Sequence, residues 1–284
     1  MPPTTKLSPP AVSGEILLDF PQEHVLLITL NRPRSLNAFT PGMTDDLRRV
    51  LNWFEDEPSL WCVIFTGAGR AFCAGADLKA GIKTTGRQAE TGEKIISDMH
   101  GFASISRRES KKPFIAAVNG SSFGGGTELT LNCDLVVASR DASFGLPEVK
   151  RGVIAIQGGI PRLVRIAGHQ LASEMLLLGK TITADDARNR FGFVNAVVAP
   201  ADVLPTALEF ASQIVANSPD SVQSTKVALL LTQRHSNEET LAVHVRSPET
   251  VANFQGANIK EGLKAFNEKR SPVWQNAGTR TAKL

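Results

Sequence analysis

The chain has 284 residues, 42% hydrophobic and 21% charged, with a net charge of +3. This is globular composition, enough for one large domain or one domain with an appendage. It excludes a bilayer-spanning helix, because no apolar run approaches the roughly 18 residues required. It also excludes a nucleic-acid footprint, because Lys and Arg are scattered; mild basicity suits anionic small molecules instead.

Residues 1–14, MPPTTKLSPPAVSG, are rich in Pro, Ser and Thr and lack an apolar core. They read as a disordered tail and not as a signal or transit peptide. His24 to Asn31, HVLLITLN, is a continuous apolar run of strand length. Thr40-Pro41 then opens a helix with an N-cap and a proline at its first position. Met43, Leu47, Val50, Leu51 and Phe54 follow at helical spacing. Trp61 to Thr66 is a second strand, and it runs into the small-residue loop GAGRAFCAGADL. Residues 87–110 read as helical despite Gly92 and Gly101. Phe114 to Val118 and Leu135 to Ala138 are strands, with a helix starting in glycines between them.

After Gly158 the pattern is mostly helical. Leu171 to Leu178 ends at Gly179, a suitable C′ glycine. Ala184 to Arg190 is short and polar, while Leu204 to Asn217, Ser221 to Leu231 and a segment reaching Arg270 are amphipathic. Strands alternating with helices, followed by helices alone, imply an α/β core with a helical C-terminal region. The expected divisions are a tail over 1–14, a core over 15–205, helices over 206–275 and a flexible tail over 276–284. The three cysteines, Cys62, Cys73 and Cys133, have no CxxC spacing and read as buried free thiols of a reducing compartment. The chain ends in Ala282-Lys283-Leu284, one residue from the S-K-L peroxisomal address. That ending predicts recognition by the peroxisomal import receptor and residence in the peroxisome matrix.

Two loops share one form. FCAGADL (Phe72 to Leu78) and FGGGTEL (Phe123 to Leu129) each follow a buried strand and each expose backbone among small residues. Two N–H groups converging from such loops would make an oxyanion hole, aided by a helix dipole. Nucleotide loops do not fit: G-x-x-x-x-G-K-[ST] is absent, and GAGRAF lacks the third glycine of G-x-G-x-x-G. Gly120-Ser121-Ser122-Phe123-Gly124 does fit G-x-S-x-G, the nucleophile elbow of serine hydrolases. His169, His235 and His244 lie downstream, so a triad built on Ser122 stands as one reading. In the other, the chemistry belongs to two acids, Glu128 at the start of the glycine-led helix and Glu148 in FGLPEVKRG.

Five segments in order resemble the crotonases, the enoyl-CoA hydratase/isomerase family: NRPRSLNAF (31–39), GAGRAFCAGADLK (67–79), VNGSSFGGGTELTLNCDLVVAS (118–139), FGLPEVKRG (144–152) and EGLKAFNEKR (261–270). The similarity spans about residues 15–275 and favours the glutamates. It implies an α/β, crotonase-like spiral of ββα units with a helical C-terminal trimerisation region, a homotrimer or dimer of trimers, and a CoA thioester as substrate. No separate cofactor or metal is implied. Carried over by position, the oxyanion donors are the N–H groups of Ala76 and Gly125, and the catalytic acids are Glu128 and Glu148. Coenzyme contacts fall on Arg32, Ala38, Ala74, Asp77, Leu78, Phe266 and Lys269. The implied reaction is hydration of a 2-enoyl-CoA or its reverse, with double-bond isomerisation or C–C cleavage as alternatives, in fatty acid or specialised metabolism. Three departures stand out. Ala155-Ile156 replaces a Pro-Gly pair and reshapes the acyl or water site. Asn258 stands where an acid is common and reads as a helix cap. Tyrosine is absent, which excludes variants with a catalytic tyrosine.

Overall fold

Both faces of the main sheet are buried, which is why its strands read as unbroken apolar runs. The computed structural model describes residues 7–77 and 92–278. Chain order begins with β1 (Ile16–Gln22), β2 (Val25–Leu30), α1 (Pro41–Asp56), β3 (Cys62–Gly67), β4 (Ala71–Cys73) and α2 (Gly92–Ser97). It continues with β5 (Phe114–Val118), β6 (Ser121–Phe123), α3 (Gly125–Asn132), β7 (Leu135–Ser139), β8 (Ser143–Gly145), α4 (Gly159–Ala167) and α5 (His169–Leu177). Then come β9 (Thr181–Thr183), α6 (Ala184–Asn189), β10 (Ala196–Val198) and five helices: α7 (Val203–Val215), α8 (Pro219–Thr232), α9 (Asn237–His244), α10 (Pro248–Gln255) and α11 (Ala257–Asn267).

Three successive ββα turns build the expected spiral. In each, a long strand (β3, β5 or β7) joins one sheet and a three-residue strand (β4, β6 or β8) joins another before a helix follows. The first sheet has the order β1-β2-β3-β5-β7-β10, parallel except for the β1–β2 hairpin. The second has the order β4-β6-β8-β9. Alternation along each long strand divides the core in two. Leu26, Ile28, Val63, Phe65, Phe114 and Ala116 face one cluster, packed with α1. Val25, Leu27, Cys62, Ile64, Ile115 and Ala117 face the other, which α7 covers with Val203, Ala207 and Ala211. Each fully buried large aliphatic side chain contributes about 1.5–3 kcal/mol, so the spiral turns are fixed on both sides. The boundary expected at 205/206 falls inside α7, a helix that belongs to the core by this packing.

Most expected elements form, with the Thr40 hydroxyl capping α1 by accepting from Met43 N at 3.0 Å. The helix expected over 87–110 does not. Residues 87–91 lie outside the described residues; α2 stops at Ser97, and Gly101 at φ 65 cannot continue a helix. Phe102–Ser104 is instead a 3-10 turn in which Ala103 (φ 57) and Ser104 (φ 58) are left-handed, at about 1–2 kcal/mol each. The turn is clamped. Arg108 donates to Ser104 O (2.8 Å) and Oγ (3.0 Å), and Asn132 donates to Ile105 O (2.6 Å) and Arg108 O (3.0 Å).

Asn258 is a second correction. The N-cap of α11 is Gly256; buried Asn258 donates to Asp220 (2.5 Å) and Gln275 O (2.8 Å) and accepts from Gln275 N (2.8 Å). Its amide clamps the C-terminal segment because it can donate and accept at once, which a carboxylate cannot. The cysteines are free; burial pushes the Cys62 and Cys73 thiols up to about 12 and also raises Cys133.

Candidate active site

The segment after β4 runs beside the turn that precedes α1. Ala74 N donates to Leu36 O (3.0 Å), Phe39 N to Gly75 O (2.8 Å) and Asp77 N to Phe39 O (3.0 Å). Phe39 and Ala76 thereby form a parallel bridge, which uses the groups on either side of Ala76 and leaves its own N–H facing away from the pairing. Asn37 holds this arrangement. Its fully buried amide, at φ 56, donates to Ala68 O (3.0 Å) and Ala71 O (2.8 Å) and accepts from Arg32 N (2.9 Å).

The other loop is made by three glycines. Gly124, at φ 55 and ψ −126, is the N-cap of α3 and lies in a region that side chains avoid. Gly125 is the first helical residue, so its N–H has no partner within the helix. The two loops touch: a Cβ on Gly75 would stand 3.3 Å from Gly125 N and 2.9 Å from Phe123 O. Two outward N–H groups backed by a helix N-terminus can bind a developing oxyanion.

Both acids reach this place. All residues of α3 from Gly125 to Leu131 are buried, and Thr127 Oγ1 ties the helix to β6 and β8 by donating to Ser122 O (2.6 Å) and Gly145 O (3.0 Å). Glu128 is 3% exposed, and its Oε1 accepts from Gly159 N at 2.9 Å. Burial pushes its carboxyl up to about 7, with the Glu148 charge adding in the same direction and the Gly159 N–H opposing. Glu148 begins a 3-10 turn, Glu148–Arg151, and burial raises its carboxyl too. Its Oε1 would lie 3.1 Å from a Cβ on Gly124, and its Oε2 is buried with no hydrogen-bond partner among the described residues. Leaving such an acceptor unpaired costs about 1–3 kcal/mol.

Comparison with known proteins places the chain in a family. The sequence profile of the enoyl-CoA hydratase/isomerase family matches residues 21–277. The chain belongs to that family. It is 45% identical over 279 residues to a mevalonyl-coenzyme A hydratase of Beauveria bassiana, covering 95% of this chain and 97% of the relative. It is 43% identical to a mevalonyl-coenzyme A hydratase of Aspergillus fumigatus, covering 94% and 96%. Among solved structures it is similar to an enoyl-CoA hydratase of Mycobacterium tuberculosis, with a TM-score of 0.82, 35% identity and coverage of 92% and 99%.

As a member of the enoyl-CoA hydratase/isomerase family, the chain brings together only part of the expected coenzyme set. Arg32 pairs with Glu15 (2.9 Å) and Asp77 (3.0 Å) and donates to Ala38 O, so Arg32, Ala38 and Asp77 form one brace beside Ala74. Leu78 lies outside the described residues, as do Ala282, Lys283 and Leu284. Phe266, 82% exposed, and exposed Lys269 stand on α11 and the turn after it, outside the buried cluster around Glu128. No helix of the described residues is long and apolar enough to cross a membrane.

The serine reading fails on geometry. Ser122 lies within β6, fully buried, and its hydroxyl meets Thr130 Oγ1 at 3.2 Å. His244 is bonded to Ser224 instead, at 3.0 Å to its Oγ and 2.9 Å to its carbonyl. Sequence reasoning overlooked Asn37 and the Gly159 N–H. The second had a visible signal, the Gly158-Gly159 pair ahead of a helix.

The raised Glu128 carboxyl has a consequence for stability. A pKa of about 7 in the fold against 4.5 as the ordinary value means that ionisation opposes folding by about 3 kcal/mol at high pH. That stability is full below pH 4.5 and is lost as pH rises through 7. Glu128→Gln is therefore expected to raise Tm at pH 8 and to leave it nearly unchanged at pH 4.5, which thermal melts at the two pH values check. An equal Tm gain at both would contradict burial as the cause.

Proposed function

We propose that this protein is an enoyl-CoA hydratase that interconverts a 2-enoyl-CoA and its 3-hydroxyacyl-CoA by syn addition or loss of water. The observation that carries the reading is the placement of buried Glu128 and half-buried Glu148 beside two touching loops that carry the Ala76 and Gly125 N–H groups. In hydration, Glu128 takes a proton from water as it attacks C3. Negative charge moves onto the thioester oxygen, where the Ala76 and Gly125 N–H groups stabilise the enolate, each worth typically about 10²–10³ in kcat. Glu148 then delivers a proton to C2. In dehydration the roles reverse: Glu148 removes the C2 proton, and protonated Glu128 gives its proton to the departing 3-hydroxyl. A carboxyl near pKa 7 serves both directions at neutral pH.

For the acyl group we favour a mevalonyl thioester, which would set the enzyme in specialised metabolism. The support is the name shared by two relatives at 45% and 43% identity over nearly the whole chain. Mevalonyl carries a hydroxyl and a methyl on C3, so loss of the 3-hydroxyl with a C2 proton gives a branched 2-enoyl thioester. The replacement of Pro-Gly by Ala155-Ile156 beside Gly159 accords with an unusual acyl group. A homotrimer or dimer of trimers would cover Leu241, Phe254, Leu263 and Phe266, which are exposed on the C-terminal helices. The Ala282-Lys283-Leu284 ending supports peroxisomal import.

Purified protein should be mixed with mevalonyl-CoA, 3-hydroxybutyryl-CoA and crotonyl-CoA, and water loss or gain followed by mass spectrometry. The expected result is reversible dehydration of mevalonyl-CoA with kcat/KM at least about 10-fold above the straight-chain substrate. Preference for the straight chain would overturn the mevalonyl assignment. A shifted double bond without water exchange would replace hydratase by isomerase, and release of a shortened thioester would point to C–C cleavage.

A further inference from the structure

We infer that Phe102 is a positioning residue of the oxyanion hole, setting the Gly125 N–H on the thioester oxygen; the inference rests on the oxyanion-hole reading above. A Cβ on Gly125 would overlap Cε1, Cδ1 and Cζ of the Phe102 ring, so the ring occupies the space that a side chain at residue 125 would need. The same ring meets Phe39 edge-on, with centroids 5.3 Å apart and planes at 70°. Phe39 is the residue bridged to Ala76. One aromatic pair therefore leans on both segments that supply the N–H donors.

The backbone that delivers Phe102 is unusual. Ala103 and Ser104 follow it as two consecutive buried left-handed residues, a conformation kept only where surrounding structure enforces it and often where function needs it. Buried Arg108 enforces it, gripping Ser104 and reaching Asn52 of α1 at 3.0 Å. Asn132, the last residue of α3, holds the carbonyls of Ile105 and Arg108. The helix that carries Gly125 at one end thus anchors, at its other end, the turn that presses Phe102 onto Gly125. A relaxed helical turn over these residues would place the ring elsewhere.

The test uses the full-length Phe102→Ala and Phe102→Leu variants, with Leu retaining bulk in case Ala weakens folding. Each is assayed for kcat and KM on the best 2-enoyl-CoA. Each is also placed in the Glu128→Gln background, where cinnamoyl-CoA is bound without turnover. The red shift of its conjugated thioester band then measures polarisation of the carbonyl by the two N–H donors. The expected result is a kcat loss of about 10–10²-fold with KM within about threefold, since small displacements of positioned groups cost this much, and a smaller red shift. Unchanged kcat would overturn the inference. So would a KM rise with the red shift intact, because Phe102 would then be only a wall of the acyl site. If the wild type hydrates nothing yet the red shift exists and shrinks in the variants, the hydratase reading fails and the role of Phe102 stands.

Discussion

Glu128→Gln is expected to lower kcat for hydration by about 10²–10⁴-fold, the range for loss of a positioned general acid–base group. The substitution is close to isosteric. The Gln carbonyl can still accept the Gly159 N–H that now bonds Glu128 Oε1 at 2.9 Å, so the α3–α4 contact survives. What is lost is the proton transfer itself. KM should therefore change little, because removal of an interaction made in the transition state lowers kcat and kcat/KM together. The pH dependence sharpens the assignment. In the wild type, burial holds this carboxyl near 7, so the hydration rate should rise with pH through that value as the base form appears. In Glu128→Gln that limb should vanish. Glu148→Gln should cost a similar factor if Glu148 is the partner acid of the proposed reaction; its buried Oε2 has no hydrogen-bond partner among the described residues. The double variant should fall little below the worse single one, since the two acids act as a unit. Steady-state rates from pH 5 to 9 decide the matter. A Glu128→Gln enzyme within about tenfold of wild type would remove Glu128 from the chemistry.

The second large effect is expected at a residue with no functional side chain. Gly75→Ala should reduce kcat by about 10²–10³-fold, comparable to loss of one oxyanion donor. Two things go wrong there. Gly75 sits at φ +86, where a Cβ is strained. The new Cβ would also press on Phe123 O (2.9 Å) and Gly125 N (3.3 Å), both backbone atoms of the opposite loop. Neither can rotate away as a flexible side chain would, so the two loops must separate and the N–H pair with them. Gly168→Ala is the control, because Gly168 has nearly the same φ, +81, and an added Cβ would meet nothing within 4 Å among the described residues. That variant should lose about 1–3 kcal/mol of stability from strain and keep its kcat. If Gly75→Ala retains more than about a tenth of the wild-type kcat while folded, the loops do not cooperate on one oxygen.

Much of the fold was legible because its signals are local. The β2, β3 and β5 runs are apolar on both faces, and the Thr40-Pro41 cap of α1 depends on adjacent residues alone. The two glycine loops could be paired by likeness, and Glu128 lies within one of them, whereas Glu148 stands in a separate segment, FGLPEVKRG. Other features left no such trace. The three-residue strands β4, β6, β8 and β9 are too short for a periodic pattern, and they exist because each has a partner to pair with. The long helix expected over 87–110 came from composition, whereas the strained turn at Phe102–Ser104 is enforced by Arg108 and Asn132 from outside it.

The sequence by itself determined which chemistry was available: two backbone-baring loops, two glutamates, and a Ser122 that matched an elbow motif. The family resemblance already favoured the glutamates, and tertiary structure supplied the contacts that seat them. It turned the Ser122 hydroxyl into the core toward Thr130, engaged Arg32 with Glu15 and Asp77, and seated Gly75 against Gly125. It also set the proton affinity of Glu128, by removing the carboxyl from water and giving it the Gly159 N–H. The physical reason is common to all of these. Residue type sets what a group can donate, accept or ionise, but desolvation and contact are properties of neighbours brought together by the chain's return, and no local pattern carries them.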